Sequence, residues 1–212
     1  MELYLITGFL GAGKTTFLKN FARQFAGRRL RLIINEFGRA GVDGTLLREL
    51  DAALDEISNG SIFCACRLDQ FEAALEQAAA DAPDVALVEA SGLADPTNVR
   101  RVLAQFPAVS YQGSVCVADA ARLEKVFSTA RACPRQLAVS SLVLLNKTDL
   151  ATEAQCAEAK ALIQRANPAA RIRRTQFGRF EPEWLSLIVP DVDVDEVLDM
   201  PDITLQLSLI HI

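Results

Sequence analysis

The chain has 212 residues, half of them apolar, and a formal net charge of −5. This length predicts one α/β domain with at most a short appendix, and the interspersed, slightly acidic charge argues against a general nucleic-acid binder, which needs a basic face. The sequence shows no secretory signal and no apolar run of the roughly 18–20 residues that a membrane span needs, and its five cysteines predict reduced thiols, so we expect a cytoplasmic protein.

Short apolar runs alternate with amphipathic stretches along the chain. The apolar runs predict strands buried on both faces and lie at residues 3–7, 30–34, 85–89, 115–118 and 142–145. The stretches between them carry apolar residues at helical spacing. Their core faces are Phe17, Leu18, Phe21 and Phe25; Leu68, Phe71, Leu75 and Ala78; and Val99, Val102, Leu103 and Phe106 after a start at Asp95 and Pro96.

Three further expectations concern single residues in this frame. A capping box at 152–155 predicts the start of another helix. Cys116 and Cys156 fall on predicted core faces and are expected to be structural, whereas the role of Cys133 stays open. Arg28, Arg29 and Arg31 flank the start of a strand and are expected to form a solvated edge, with a phosphate-facing role as the alternative.

The segment GFLGAGKTT, at 8–16, fits G-x-x-x-x-G-K-[ST] and stands between a predicted strand and a predicted helix. In that context backbone N–H groups curl around phosphate oxygens, and the dipole of the helix adds to the attraction. Lys14 would reach the β- and γ-phosphates, and the Thr15 hydroxyl would be a Mg²⁺ ligand. The predicted nucleotide-binding residues are Gly8, Gly11, Ala12, Gly13, Lys14, Thr15 and Thr16. The expected fold is therefore an α/β P-loop NTPase three-layer sandwich with a mostly parallel sheet.

A carboxylate ends the strand predicted at 85–89. Glu89, at the carboxyl end of a core strand beside the phosphate loop, fits a direct or water-mediated Mg²⁺ partner. Gly92, three residues later, can give its N–H to a γ-phosphate. The alternative is that Glu89 merely caps a helix.

The tetrapeptide NKTD, at 146–149, follows the strand predicted at 142–145. In such a loop the carboxylate of Asp149 accepts hydrogen bonds from guanine N1–H and the exocyclic amine, the Lys147 stem lies over the base, and Asn146 ties the loop to the phosphate loop. Adenine offers that carboxylate an acceptor and no amine, which leaves it desolvated and unpaired. We therefore predict GTP rather than ATP.

Cys64 and Cys66 stand one residue apart in NGSIFCACRLD, at 59–69. In an extended segment both side chains point to one face and can share an ion, whereas in a helix they diverge. A tetrahedral thiophilic ion needs further ligands, from Glu36, Ser61, water or a second subunit; a two-coordinate Cu(I)-type site or a zinc site shared by a dimer also suits two thiolates. The alternative is one thiol packed as a small apolar group and one idle thiol.

Five motifs occur in order: GFLGAGKTT at 8–16, NEFG at 35–38, NG at 59–60, EASGLADP at 89–96 and NKTD at 146–149. Together they resemble the CobW-type P-loop GTPases, relatives of the hydrogenase- and urease-maturation GTPases, over residues 2 to about 175. The resemblance implies a GTPase that delivers or inserts a metal, or that assists maturation of a metal or cobalamin enzyme. It also places Glu36 and Asp43 in a first switch, near the γ-phosphate or a second metal, and Glu89 and Gly92 in a second switch.

The sequence departs from that family in its cysteine motif. The family has Cys-x-Cys-Cys straight after NG, and here those positions are Ser61, Phe63 and Cys64, with Cys66 two residues on. Arg39 follows NEFG, where the family commonly has an acidic residue. The cysteine segment is thus divergent.

The predicted activity is slow intrinsic hydrolysis of GTP to GDP and phosphate. Mg²⁺ and the phosphate loop would stabilise charge, and a first-switch carboxylate would position water. The only histidine, His211, lies in the tail, so no histidine is expected to act as a general base. The predicted catalytic residues are Lys14, Glu36, Asp43 and Glu89.

The leading hypothesis is a metal chaperone or metal-insertion GTPase, with GTP, Mg²⁺ and Zn²⁺ or another thiophilic metal bound near Cys64. The alternative is a nucleotide-switched maturation factor that binds a protein partner and carries no metal, and a small-molecule kinase is a third class, against which NKTD argues. Expected partners are a client metalloprotein and a GTP-dependent homodimer, with no nucleic acid and no membrane. We expect the GTPase domain at 1–180 and, at 181–212, a tail with a terminal strand in place of the family's second domain.

Overall fold

The computed structural model describes residues 1–35, 48, 50, 52–57 and 68–190. Within these ranges one sheet has seven strands: β1 (Glu2–Thr7), β2 (Leu30–Ile34), β3 (Ala52–Glu56), β4 (Val85–Glu89), β5 (Ser110–Asp119), β6 (Leu142–Asn146) and β7 (Arg171–Arg174). Their order is β3-β2-β4-β1-β5-β6-β7, and every pair is parallel. The predicted α/β class and parallel sheet are confirmed.

The described helices are α1 (Lys14–Ala22), α2 (Leu68–Asp81), α3 (Val99–Leu103), α4 (Leu123–Thr129), α5 (Ala132–Ala138) and α6 (Glu153–Ala166). Short 3₁₀ segments lie at Arg23–Phe25, Thr148–Leu150 and Pro182–Leu187. The predicted capping box opens α6, because the Thr152 hydroxyl accepts from Gln155 N at 3.2 Å and Gln155 Oε1 accepts from Thr152 N at 2.9 Å.

Successive side chains of each strand point to opposite faces of the sheet, and both faces are buried. One face carries Ile6 and Val117 and packs against α1 and the Pro182–Leu187 segment. The ring of Phe180, which precedes that segment, packs on Phe21 of α1 with the ring centroids 4.9 Å apart. The other face packs against α2 to α6 in two adjoining clusters. The three layers predicted for the fold are therefore present. No helix in the described part of the chain is both long and apolar enough to cross a bilayer.

Two local predictions were wrong. Helix α3 begins at Val99 rather than at Pro96, because Asp95 Oδ1 accepts from Thr97 N at 3.2 Å and from Thr97 Oγ1 at 2.8 Å, which forms a turn before the helix. Arg31 is 7% exposed, not solvated.

The burial of Arg31 follows from its neighbour in the sheet. Strand β3 lies beside β2, and there Asp55 accepts from Arg31 Nε at 2.6 Å and from its Nη2 at 2.8 Å, while Asp81 at the end of α2 also accepts from it. The hydrogen bonds to Asp55 are the main cause that raises the pKa of Arg31. The sequence did not predict strand β3, so it did not place the carboxylate of Asp55 beside Arg31.

Candidate functional site: a phosphate loop joined to a base loop

The phosphate loop follows β1, in the middle of the sheet, and leads into α1. Its glycines at 8, 11 and 13 have φ values of 131°, 74° and 102°. A Cβ on Gly8 would lie 2.2 Å from the carbonyl oxygen of Val117, and one on Gly13 would lie 2.6 Å from Asn146 Nδ2. The loop is thus closed against β5 and β6, and only glycine fits these two positions. This backbone cradle fits a row of nucleotide phosphates.

Lys14, Thr15 and Glu89 meet where the loop enters α1. Lys14 is 8% exposed, and its Nζ lies 3.5 Å from the carbonyl oxygen of Phe9. Thr15 Oγ1 donates to Glu89 Oε1 at 3.2 Å, and Glu89 is 1% exposed. A hydroxyl and a carboxylate in contact beside the phosphate loop are oxygen ligands of the type Mg²⁺ prefers. The donor set therefore fits a Mg²⁺ ion bound together with a nucleotide.

The segment after Glu89 packs directly on the phosphate loop. A Cβ on Gly92 would lie 2.6 Å from Leu10 N, so the two backbones touch. The segment is held from behind by α5, because Gln136 Nε2 donates to the carbonyl oxygens of Gly92 at 3.1 Å and Ala94 at 2.9 Å. Gln136 is 1% exposed, so these bonds are shielded from water. Sequence reasoning missed this residue, since helix α5 itself was not predicted.

The NKTD loop follows β6 and contacts the phosphate loop through two side chains. Asn146 Nδ2 donates to the carbonyl oxygen of Ala12 at 2.9 Å. Lys147 adopts a left-handed conformation, with φ 60°, and its Nζ donates to the carbonyl oxygen of Gly11 at 2.6 Å. Asp149, two residues after Lys147, is exposed. Asn146 and Lys147 thus join the NKTD loop to the phosphate loop.

Two further parts of this edge were not predicted. Asp119, the last residue of β5, pairs with Lys147 Nζ at 2.9 Å and fixes the direction of that stem. A polar residue at the end of a core strand was the available signal, as it was for Glu89. The second part is the loop 175–178 after β7, whose Gly178 N donates to Asn146 Oδ1 at 3.0 Å. The letters TQFG carry no pattern that marks such a role.

The remaining predicted site residues lie outside the described part of the chain: Glu36, Asp43, Cys64 and Cys66. Among the described residues, no group of three or more His, Cys, Asp or Glu side chains could hold a metal ion.

The three described cysteines, at 116, 133 and 156, are free and buried. Burial of Cys116 and Cys156 confirms their predicted core positions, and Cys133 shares the core cluster with them. Burial also raises the pKa of the Cys116 thiol to about 12 and raises the pKa of Cys133. Burial thus disfavours, at Cys116 and Cys133, the thiolate form that metal binding requires.

The nucleotide-binding domain of the CobW/HypB/UreG family matches residues 2–174. The zinc chaperone CobW of Pseudomonas aeruginosa is 32% identical over a 206-position alignment, and the match covers 80% of this chain and 55% of that protein. The zinc chaperone YeiR of Escherichia coli is 33% identical over 153 residues, covering 70% of this chain and 47% of its own length. The chain spans about half the length of these curated relatives.

Solved structures share the fold at lower identity. The Zn(II)-bound YjiA GTPase from Escherichia coli superposes with a TM-score of 0.62 at 23% identity, covering 90% of this chain and 61% of that one. The hydrogenase maturation factor HypB from Archaeoglobus fulgidus superposes with a TM-score of 0.59 at 21% identity, covering 88% of this chain and 87% of that one. Because the family model matches most of its length, the chain belongs to the CobW/HypB/UreG family of P-loop nucleotide-binding domains.

Proposed function

We propose that this protein binds and slowly hydrolyses GTP, and that the nucleotide state controls delivery of a thiophilic metal, zinc being the first candidate. The observation that carries the GTP part is the bridge made by Asn146, whose buried amide contacts Ala12 of the phosphate loop and Gly178 of the neighbouring loop. This bridge connects the phosphate cradle to the loop that carries the exposed Asp149. The zinc part draws on the relatives that are named zinc chaperones.

Each residue has a defined task in this proposal. The loop N–H groups and Lys14 hold the phosphates, Asp149 accepts from the guanine edge, and the Gly92 N–H is proposed to contact a γ-phosphate. Thr15 and Glu89 would hold Mg²⁺, which supplies positive charge against the charge that develops on the phosphates. Glu36 and Asp43 are proposed for the first switch, where a carboxylate would position water.

The metal part depends on Cys64 and Cys66, with Glu36 as a further ligand. A client metalloprotein and a GTP-dependent homodimer are the proposed partners. Because two of the three cysteine positions of the family are Ser61 and Phe63, a maturation factor that carries no metal is the second candidate.

Elemental analysis of anaerobically purified protein, with and without GTP and Mg²⁺, separates the two candidates. About one equivalent of metal, with affinity shifted by GTP and lost in Cys64→Ser and Cys66→Ser, supports metal delivery. No metal in any nucleotide state, together with GTP hydrolysis that Lys14→Ala abolishes, supports the maturation factor. Absence of GTP hydrolysis in the wild type contradicts both.

A further inference from the structure

Arg122 is an exposed cation beside the phosphate loop. A Cβ on Gly11 would lie 3.7 Å from Arg122 Nη1, and the arginine lines a small cavity together with Phe9 and Ala12 of the loop. With the described residues its guanidinium forms neither an ion pair nor a hydrogen bond. Arg122 thus brings to the phosphate loop a positive charge that no carboxylate of the described residues pairs with.

The turn between β5 and α4 fixes the point from which this side chain extends. Asp119, the last residue of β5, accepts from Ala121 N at 3.0 Å through Oδ1, and its carbonyl oxygen accepts from Arg122 N at 3.2 Å. Its second carboxylate oxygen pairs with Lys147 Nζ at 2.9 Å. One carboxylate therefore holds both the lysine of NKTD and the turn that carries Arg122.

Gly11 lies where the phosphate loop meets the base loop. Its carbonyl oxygen accepts from Lys147 Nζ at 2.6 Å, two residues before Asp149, and Lys14 follows three residues further along the phosphate loop. In a nucleotide the ribose and the α-phosphate join the base to the β-phosphate. With the base at one end and the outer phosphates at the other, we expect this linking part to pass beside Gly11 and Arg122.

The other two cations at the phosphate loop have other tasks. Lys147 is paired with Asp119, and Lys14 is proposed to act, together with Mg²⁺, on the β- and γ-phosphates. An arginine offers several N–H donors in a planar fork that matches two phosphate oxygens. The charge and the donors of Arg122 therefore suit the phosphate that these groups leave uncontacted.

We propose that Arg122 binds the α-phosphate of the guanine nucleotide; this assignment rests on the proposed binding of GTP. Asp119 then supports two parts of the site, because it holds the lysine stem at the base and the turn from which Arg122 extends. GDP and GTP share the α-phosphate, so Arg122 strengthens the binding of both nucleotides instead of selecting one of them.

The test is titration of the full chain with GDP and with a non-hydrolysable GTP analogue, both with Mg²⁺, on the wild type and on Arg122→Gln. We expect both affinities to fall by the same factor, roughly 5- to 50-fold, as for loss of a charge-assisted hydrogen bond at a partly solvated position. Arg122→Lys keeps the charge and should recover part of the loss. Lys125→Gln removes an exposed positive charge from α4, three residues further along, and should bind both nucleotides within about twofold of the wild type.

The two diastereomers of α-thio GDP test the position of the contact. They present sulfur, a poorer hydrogen-bond acceptor than oxygen, at different sides of the α-phosphate, so the ratio of their affinities should differ between the wild type and Arg122→Gln. Equal ratios overturn the assignment, and so does a loss confined to the GTP analogue or an equal loss in Lys125→Gln. If the wild type binds no GDP, the proposed function fails and this assignment fails with it, whereas wild-type binding that Arg122→Gln leaves unchanged overturns this assignment alone.

Discussion

Replacing Asn146 by alanine removes the side chain that joins the phosphate loop to the loop at 175–178. Two buried hydrogen bonds are lost, to the Ala12 carbonyl at 2.9 Å and from Gly178 N at 3.0 Å. Asn146 is 2% exposed, so water cannot easily replace it. Each bond contributes about 0.5–1.5 kcal/mol, and a buried N–H left without an acceptor costs about 1–3 kcal/mol. We therefore expect the free energy of unfolding to fall by roughly 2–4 kcal/mol.

Urea denaturation without nucleotide measures this loss, and Asn20→Ala is the matched control. Asn20 also makes two hydrogen bonds to the same loop, to Phe177 and Gly178, but at a partly exposed position where water can hydrate the carbonyls. We expect the control to lose less than about 1 kcal/mol. Equal losses in the two variants would refute the reasoning, because they would show that the buried bridge is worth no more than a surface contact.

Three other predictions concern the predicted second switch, the predicted Mg²⁺ position and the core. Gln136→Leu removes the amide that holds the segment at Gly92, so it should weaken binding of a non-hydrolysable GTP analogue more than binding of GDP; equal weakening would indicate a general structural defect. Glu89→Gln keeps an acceptor for the Thr15 hydroxyl but loses the charge, so GDP titrations should show a lower apparent affinity for Mg²⁺, and an unaltered Mg²⁺ dependence would contradict that assignment. Burial raises the pKa of Cys116 from 9.0 to about 12, so its contribution to the free energy of unfolding is fully present below pH 9 and is lost as the pH rises towards 12; Cys116→Ala should flatten that decline in urea denaturation between about pH 9 and 11.

The sequence predicts well the elements whose signal is local. The apolar runs at 30–34 and 85–89 coincide with β2 and β4, because strands buried on both faces need continuous apolar residues. Strand β3 was not predicted because its residues, AALDE, include two acids and are only partly buried. Missing β3 also led to the wrong prediction for Arg31, whose partner Asp55 lies on that strand.

The same division applies to the candidate site. The phosphate loop and NKTD could be predicted because each places its chemistry within a few consecutive residues. Gln136 and the loop at 175–178 could not, because their roles arise from tertiary contacts between segments far apart in the chain. Neither a buried glutamine on a short helix nor the letters TQFG identify a nucleotide site without the sheet order that brings them to this edge.

The central claim is that this edge of the sheet binds guanine nucleotides, and base selection tests it most directly. Titrations would compare GDP, ADP and xanthosine diphosphate on the wild type and on Asp149→Asn. The account predicts that the wild type prefers GDP over ADP by at least about 100-fold. Asp149→Asn should lose GDP affinity and gain affinity for xanthosine diphosphate, because the amide donates where the carboxylate accepted and xanthine has a carbonyl in place of the amine. Equal binding of GDP and ADP by the wild type, or no change in base preference in Asp149→Asn, would contradict it.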